Sequence, residues 1–161
     1  TQMKATGEVM GIGRTQEEAL LKSVRSLEIG LQHLQLPKIV GMTREALLDG
    51  MEKVDDERIF LVAEGIRQGM PLDLIADRTK IDLLFLDTIR RIVLMESDLR
   101  EAGTKISKEL LYRAKRMGFS DHAVAMYSGL TSTAVRDLRK RHRLAPVYKM
   151  VDTCAGEFES A

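Results

Sequence analysis

Apolar side chains recur every three or four positions along most of the chain, which is the spacing of one face of an α-helix. The longest such stretch runs from about Asp82 to Ala102, and Gly103 follows it as a stop. Its apolar positions are Phe85, Leu86, Ile89, Ile92, Val93 and Leu99. The spacing therefore predicts one long helix in the middle of the chain, with a broad apolar face.

Shorter stretches with the same spacing lie on both sides of this helix. The first carries Leu20, Val24 and Leu27, and Thr15 with Glu18 forms the pattern of a capping box at its start. The others begin at Thr43, at Asp55 or Asp56, and at Pro71, Ser107, Ser120 and Thr131, and glycines follow most of them. The prediction is an all-α, irregular multi-helix domain.

The first residues follow a different pattern. Val9, Met10 and Ile12 lie between glycines and predict a short N-terminal strand. A single strand has nothing to pair with here, so we expect it to be left over from a preceding domain. Gly11 and Gly13 could also form a phosphate-binding turn, but Gln16 occupies the place of the third glycine of a dinucleotide fingerprint.

Composition fits one helical domain with a real core. The chain has 161 residues, of which 44% are hydrophobic and only 4% aromatic. No apolar run approaches the roughly 20 residues that cross a bilayer, so we expect no membrane partner. The single cysteine, Cys154, fits a reducing cytoplasm.

Charge is distributed unevenly along the chain. Residues 1–104 carry 14 basic and 18 acidic side chains, whereas residues 105–143 carry 10 basic and 3 acidic ones. The basic part includes Ser120 to Arg143, where Ala125, Gly129 and Val135 have the spacing of a helix-turn-helix. In a DNA-binding protein, Ser132, Thr133 and Arg136 would face the bases. Most of the positive charge lies farther along, where a helix dipole alone favours it, so nucleic acid is the less favoured partner.

Two long phrases at the ends of the chain favour another interpretation. MKATGEVMGIGRT, from Met3 to Thr15, and PVYKMVDTCAGEF, from Pro146 to Phe158, resemble two phrases of the large subunit of carbamoyl-phosphate synthase. The family forms are MKSTGEVMGIGRT and HPVYK-VDTCA-EF. Ala5, Ala145 and Gly156 replace the usual serine, histidine and alanine.

The resemblance implies a division of the chain. Residues 1–30 would be the end of the first, carboxyphosphate ATP-grasp domain, and 31–42 a linker. Residues 43–150 would form the helical oligomerisation domain, and 151–161 the exit toward the second ATP-grasp half. Partners would be those two halves, further copies through the helical domain, and the glutaminase small subunit.

The resemblance also implies the reaction of the parent enzyme. That enzyme makes carbamoyl phosphate from bicarbonate, glutamine-derived ammonia and two ATP molecules for arginine and pyrimidine synthesis, with ATP, Mg²⁺ or Mn²⁺, and K⁺. We expect no catalytic, nucleotide or metal residue and no cofactor in this stretch. Glu8 is the exception, since the matching glutamate of the family lines the internal carbamate passage.

Residue spacing alone gives little support for independent chemistry. His33, His122 and His142 are scattered, and a single cysteine makes a zinc site improbable. Cys154 with a histidine could form a nucleophilic pair in principle. The exit phrase assigns that cysteine to structure instead.

Overall fold

A computed structural model describes residues 9–27 and 29–148. These residues form eight helices and no strand, which confirms the all-α class. The helices are α1 (Gln16–Ser26), α2 (Arg44–Glu52), α3 (Arg58–Arg67), α4 (Leu72–Thr79), α5 (Leu83–Ala102), α6 (Lys108–Arg116), α7 (Asp121–Ser128) and α8 (Ser132–Arg141). In the described part of the chain, no helix is both long and apolar enough to span a membrane.

Side-chain caps define most helix starts, because the first amides of a helix have no partner within it. Each of the following accepts a hydrogen bond from an amide two or three residues later: Thr15, Thr43, Asp82, Ser107, Ser120 and Thr131. The predicted capping box is shifted by one residue on the side of Glu18. Its carboxylate accepts from the amide of Arg14 at 2.8 Å rather than from the amide of Thr15. Neither α3 nor α4 has a side-chain cap, and Pro71 precedes α4 rather than beginning it.

Three helices end in the same turn, in which a left-handed residue lets its own amide and the following amide donate to carbonyls of the last turn. Gly69 and Gly118 provide that conformation after α3 and α6, with φ of 75° and 89°. Arg143 does so after α8 with φ of 56°, although a side chain there is strained. The amides of Arg143 and Leu144 donate to the carbonyls of Lys140 and Arg139 at 3.0 and 2.9 Å.

The short strand predicted at Val9, Met10 and Ile12 is absent from the described residues, so that prediction was wrong. Residues 9–13 have no regular structure, because no second strand offers its amides and carbonyls. This segment instead lies against α1, and Lys22 Nζ donates to the carbonyl of Ile12 at 2.8 Å. A Cβ on Gly11 would clash with the backbone of Ala19. The glycine therefore serves a close approach to α1, which explains the GxG pattern without a phosphate.

The core surrounds α5, which contacts α1, α3, α4, α6 and α7. Leu86, Ile89, Ile92 and Leu99 of α5 are fully buried. Phe85, which was assigned to the same apolar stripe, is 43% exposed.

The core is not confined to residues 43–150. Leu21 of α1, together with Leu34 and Ile39 of the segment predicted as a linker, is also buried in it. The predicted domain boundaries stay predictions, but α1 and residues 31–42 pack with the later helices.

Candidate functional site

The helix-turn-helix predicted from Ala125, Gly129 and Val135 is present as α7, a short turn and α8. Gly129 ends α7 in the left-handed conformation with φ of 74°, and Thr131 caps α8 by accepting from the amide of Ala134. Ala125 is 5% exposed and Val135 is fully buried, so the two helices pack closely. The local geometry thus follows the small residue, the turn glycine and the core valine.

The start of α8 borders an open depression of about 250 Å³. It is lined by Asp121, Ser132, Thr133, Arg136 and Arg139, so the structure brings the three predicted DNA-facing residues together. All three are exposed. Contact of these residues with DNA stays a prediction. The same depression also contains the carboxylate of Asp121.

That carboxylate belongs to an ion cluster that joins α6, α7 and α8, which we call the outer cluster: Lys115, Asp121 and Arg139. Arg139 Nη2 and Lys115 Nζ donate to Asp121 at 2.8 and 2.9 Å. Burial would raise the pKa of Asp121, but the hydrogen bonds from Arg139 and Lys115 hold it below its usual value of 3.8. Arg139 also donates to the carbonyl of Leu144 at 3.2 Å. The cluster therefore fixes the end of α8 as well as its packing on α7.

The far end of α8 presents positive charge to solvent. Lys140, Arg141 and Arg143 there, and Arg136 in the middle of the helix, are exposed and form no ion pair with another described residue. Carbonyls at the end of a helix favour cations, which accounts for part of this basic surface.

A second ion cluster lies inside the molecule between α3 and α5, which we call the inner cluster: Glu64, Arg67 and Glu96. Arg67 Nε and Nη2 donate to the two carboxylate oxygens of Glu96 at 2.7 and 3.0 Å. Glu64 accepts from Arg67 Nη1 at 3.2 Å, and the carbonyl of Leu34 accepts from Nη2 at 2.6 Å. The side chain of Glu96 is completely buried. Arg67 thus ties residues 31–42 to the central helices.

Two aromatic rings complete the surroundings of the inner cluster. Tyr127 of α7 is 5% exposed, and its hydroxyl has no hydrogen-bond partner among the described residues. The ring of His33 meets Tyr127 edge to face at 5.8 Å between centroids, and the guanidinium of Arg100 lies 4.7 Å from the centroid of Tyr127. Burial lowers the pKa of His33 below 6.5, although Glu96 opposes the shift. The imidazole is therefore favoured in its neutral form.

Neither cluster is arranged as a metal site. Within residues 9–27 and 29–148, no group of three or more histidine, cysteine, aspartate or glutamate side chains could hold a metal ion. In both clusters the carboxylates face arginine or lysine, which leaves structural ion pairing as their chemistry. The predicted passage residue Glu8 and the exit phrase from Lys149, with Cys154, lie outside the described residues.

The sequence interpretation missed the inner cluster. Arg67 and Glu96 are 29 residues apart on different helices, and each could equally have been a solvent-facing charge. A weak signal was available, because Glu96 follows Ile92 and Val93 within the apolar face of α5.

A model of a known protein family matches most of the chain. The family model described as "Carbamoyl-phosphate synthetase large chain, oligomerisation domain" matches residues 8–143. The matched range contains all eight helices of the described residues, α1 included.

Proposed function

The chain belongs to the family of the carbamoyl-phosphate synthetase large-chain oligomerisation domain, and we propose that it connects and pairs the large subunits of a glutamine-dependent enzyme. The observation that carries the proposal is the match over residues 8–143, together with an all-helical fold over the same range. The resemblance of the two end phrases to that family supports the same assignment.

We propose that the domain contributes structure rather than catalysis. Glu64 and Glu96 are both held by Arg67, and their side chains are only 9% and 0% exposed, which supports a structural role for them. In this proposal the parent enzyme, a ligase, makes carbamoyl phosphate for arginine and pyrimidine synthesis in the cytoplasm. Bicarbonate, glutamine-derived ammonia and two ATP molecules are its substrates, with Mg²⁺ or Mn²⁺ and K⁺ bound in other domains.

The proposed partners follow from the same assignment. They are the two ATP-grasp halves of the same chain, further copies of the large subunit, and the glutaminase small subunit. Glu8 would line the carbamate passage of the parent, a role that rests on the resemblance alone.

Sedimentation equilibrium over a wide concentration range tests the proposal. A mass that rises above 18.1 kDa with concentration is the expected result. A strict monomer would contradict self-association by this domain. The same runs with a labelled mixed-sequence DNA duplex test the helix-turn-helix alternative, and salt-sensitive comigration with the duplex would favour it.

A further inference from the structure

The turn between α6 and α7 is contacted by helices that are far apart in the chain. We call residues 118–121 the α6–α7 turn. Arg25 of α1 donates through Nη1 to the carbonyl of Gly118, at the start of this turn, at 2.7 Å. Arg139 of α8 donates to both carboxylate oxygens of Asp121, at its end, at 3.0 and 2.8 Å. The α6–α7 turn therefore lies between α1 and α8.

The packing of α1 on the α6–α7 turn is close. Gly118 has φ of 89°, and a Cβ added to it would lie 2.9 Å from the Cα of Glu18. The backbones of α1 and the turn are thus in contact without an intervening side chain. Arg25 is partly buried beside this contact. A displacement of α1 must therefore either move the turn or break the bond from Arg25 to Gly118.

Lys115 of α6 joins the middle and the end of the α6–α7 turn. Its Nζ donates to the carbonyl of Phe119 at 2.7 Å and to the carboxylate of Asp121 at 2.9 Å. The side chain of Phe119 is 2% exposed, so the turn is anchored in the core and is not a free loop. A close-packed segment transmits strain instead of absorbing it. A shift at Gly118 should therefore also be felt at Asp121.

From Asp121 the contacts continue to the residues that end α8. Arg139 donates through Nη1 to the carbonyl of Leu144 at 3.2 Å, and the amide of Leu144 donates to the carbonyl of Arg139 at 2.9 Å. The conformation of Leu144 thus depends on Arg139 through two hydrogen bonds. An unbroken series of contacts runs from Arg25 through the α6–α7 turn to Leu144.

We propose that the α6–α7 turn couples the position of α1 to the conformation of the turn that ends α8. A displacement of α1 would shift Gly118, weaken the contact of Asp121 with Arg139 and loosen Leu144. Packed side chains and hydrogen bonds of this kind carry coupling between distant parts of a protein. The inference goes beyond the proposed function, since it needs only contacts within one copy of the chain.

The first test is Arg25→Met in the full chain, which removes the bond to Gly118 and keeps a long apolar side chain. We expect the protection of the Leu144 amide against hydrogen exchange, measured by NMR, to fall at least about fivefold. The amide of Lys80, which donates to the carbonyl of Ala76 after α4 at 2.8 Å, is the internal reference. Its protection should change by less than about twofold, because its bond lies outside the series.

Lys22→Met is the matched control variant. Lys22 lies on the same helix and also donates to a backbone carbonyl, that of Ile12 at 2.8 Å, but this acceptor is outside the α6–α7 turn. We expect the ratio of Leu144 to Lys80 protection to stay as in the unmodified chain. Arg25→Lys keeps the charge and a donor, so it should show a smaller loss in the same direction as Arg25→Met. It also provides the measurement if Arg25→Met does not fold.

A double-mutant cycle of Arg25→Met with Arg139→Met, followed by urea denaturation, gives the sign of the coupling. The double variant should be destabilised less than the two single variants predict, by about threefold or more in the unfolding equilibrium constant. Direct repulsion between the two cations would give the opposite sign, because removal of one would then strengthen the contribution of the other. Lys22→Met with Arg139→Met should be additive.

The outcomes judge this inference apart from the proposed function. Unchanged protection of Leu144 relative to Lys80 in Arg25→Met, or an additive cycle, would overturn the coupling. An equal loss of Leu144 protection in Lys22→Met would show a general loosening of α1 and would overturn the role of the α6–α7 turn. None of these results depends on the mass found by sedimentation.

Discussion

The inner and outer clusters use the same chemistry in two different surroundings. Each joins helices through an arginine that contacts a carboxylate by two nitrogens or more. Glu96 is completely buried, whereas the side chains of Asp121 and Arg139 are about one-fifth exposed, at 22% and 19%. Water can solvate a group left alone in the outer cluster but not in the inner one. The loss in free energy of unfolding on removal of one partner should therefore depend on burial rather than on the number of hydrogen bonds.

Of the predicted changes, Glu96→Gln should destabilise the protein most. The change leaves the guanidinium of Arg67 buried beside a neutral amide, with only Glu64 to balance its charge. We expect a loss of about 3 kcal/mol or more in the free energy of unfolding, measured by urea denaturation.

Two controls accompany that measurement. Glu101→Gln changes an exposed glutamate on the same helix, and a change within about 0.5 kcal/mol is expected. Arg67→Met combined with Glu64→Gln and Glu96→Leu removes all three charges of the inner cluster and should recover part of the loss. A loss below about 1 kcal/mol for Glu96→Gln would contradict the role given to burial.

Asp121→Asn makes the corresponding change in the outer cluster. Arg139 and Lys115 lose their common anion but stay partly hydrated, and α7 loses an acidic residue in its first turn. A loss of about 1 to 2 kcal/mol is expected in the same urea experiment. Asp137→Asn, an exposed aspartate on α8, is the control and should change stability by less than about 0.5 kcal/mol. Equal losses for Asp121→Asn and Glu96→Gln would remove the distinction between the clusters.

His33, beside the inner cluster, and Asp121 of the outer cluster should affect stability in different pH ranges. His33, beside Tyr127, has a pKa lowered below 6.5 by burial, so the unfolded chain binds a proton more readily than the folded one. Its contribution to stability is present above pH 6.5 and is lost as the pH falls through the lowered value. Asp121 behaves likewise, but below its ordinary value of 3.8.

His33→Gln should therefore reduce the change in the free energy of unfolding between about pH 7.5 and about pH 5.5. We expect this effect on the free energy of unfolding to be smaller than the loss caused by Asp121→Asn at neutral pH. Urea denaturation across that range, for the variant and the unmodified chain, provides the measurement. Parallel profiles would show that His33 is not the titrating group, and Asp121→Asn should leave this part of the profile unchanged.

The helix starts could be predicted from sequence because they depend on neighbours a few residues away. Thr15, Thr43, Ser107, Ser120 and Thr131 all cap helices as predicted. The same local reasoning also identified the close packing of α7 on α8.

Burial of particular positions depended on distant contacts and could not be predicted as well. In α1 the spacing of Leu20, Val24 and Leu27 predicted the apolar face, yet Leu27 is 37% exposed and Leu21 is buried instead. The position of α1 is set partly by the ion pair of Glu17 with Arg91 on α5, 74 residues later. The inner cluster has the same origin, since it depends on which side chains the folded helices bring together.

Of the predicted changes in the free energy of unfolding, that of Arg143→Gly should be the smallest, and it should be a gain rather than a loss. Arg143 adopts a left-handed conformation that glycine accepts without strain, and the turn it forms presents the carbonyl of Leu144 to Arg139 of the outer cluster. Relief of strain should exceed the greater entropy of glycine in the unfolded chain, giving a gain of about 0.5 kcal/mol.

Lys80→Gly, after α4 with φ of 57°, relieves similar strain away from the outer cluster. Urea denaturation of Asp121→Asn with and without Arg143→Gly then measures the coupling. If the turn holds Arg139 in place, the gain from glycine should be smaller when Asp121 is absent, whereas Lys80→Gly should give the same gain in both backgrounds.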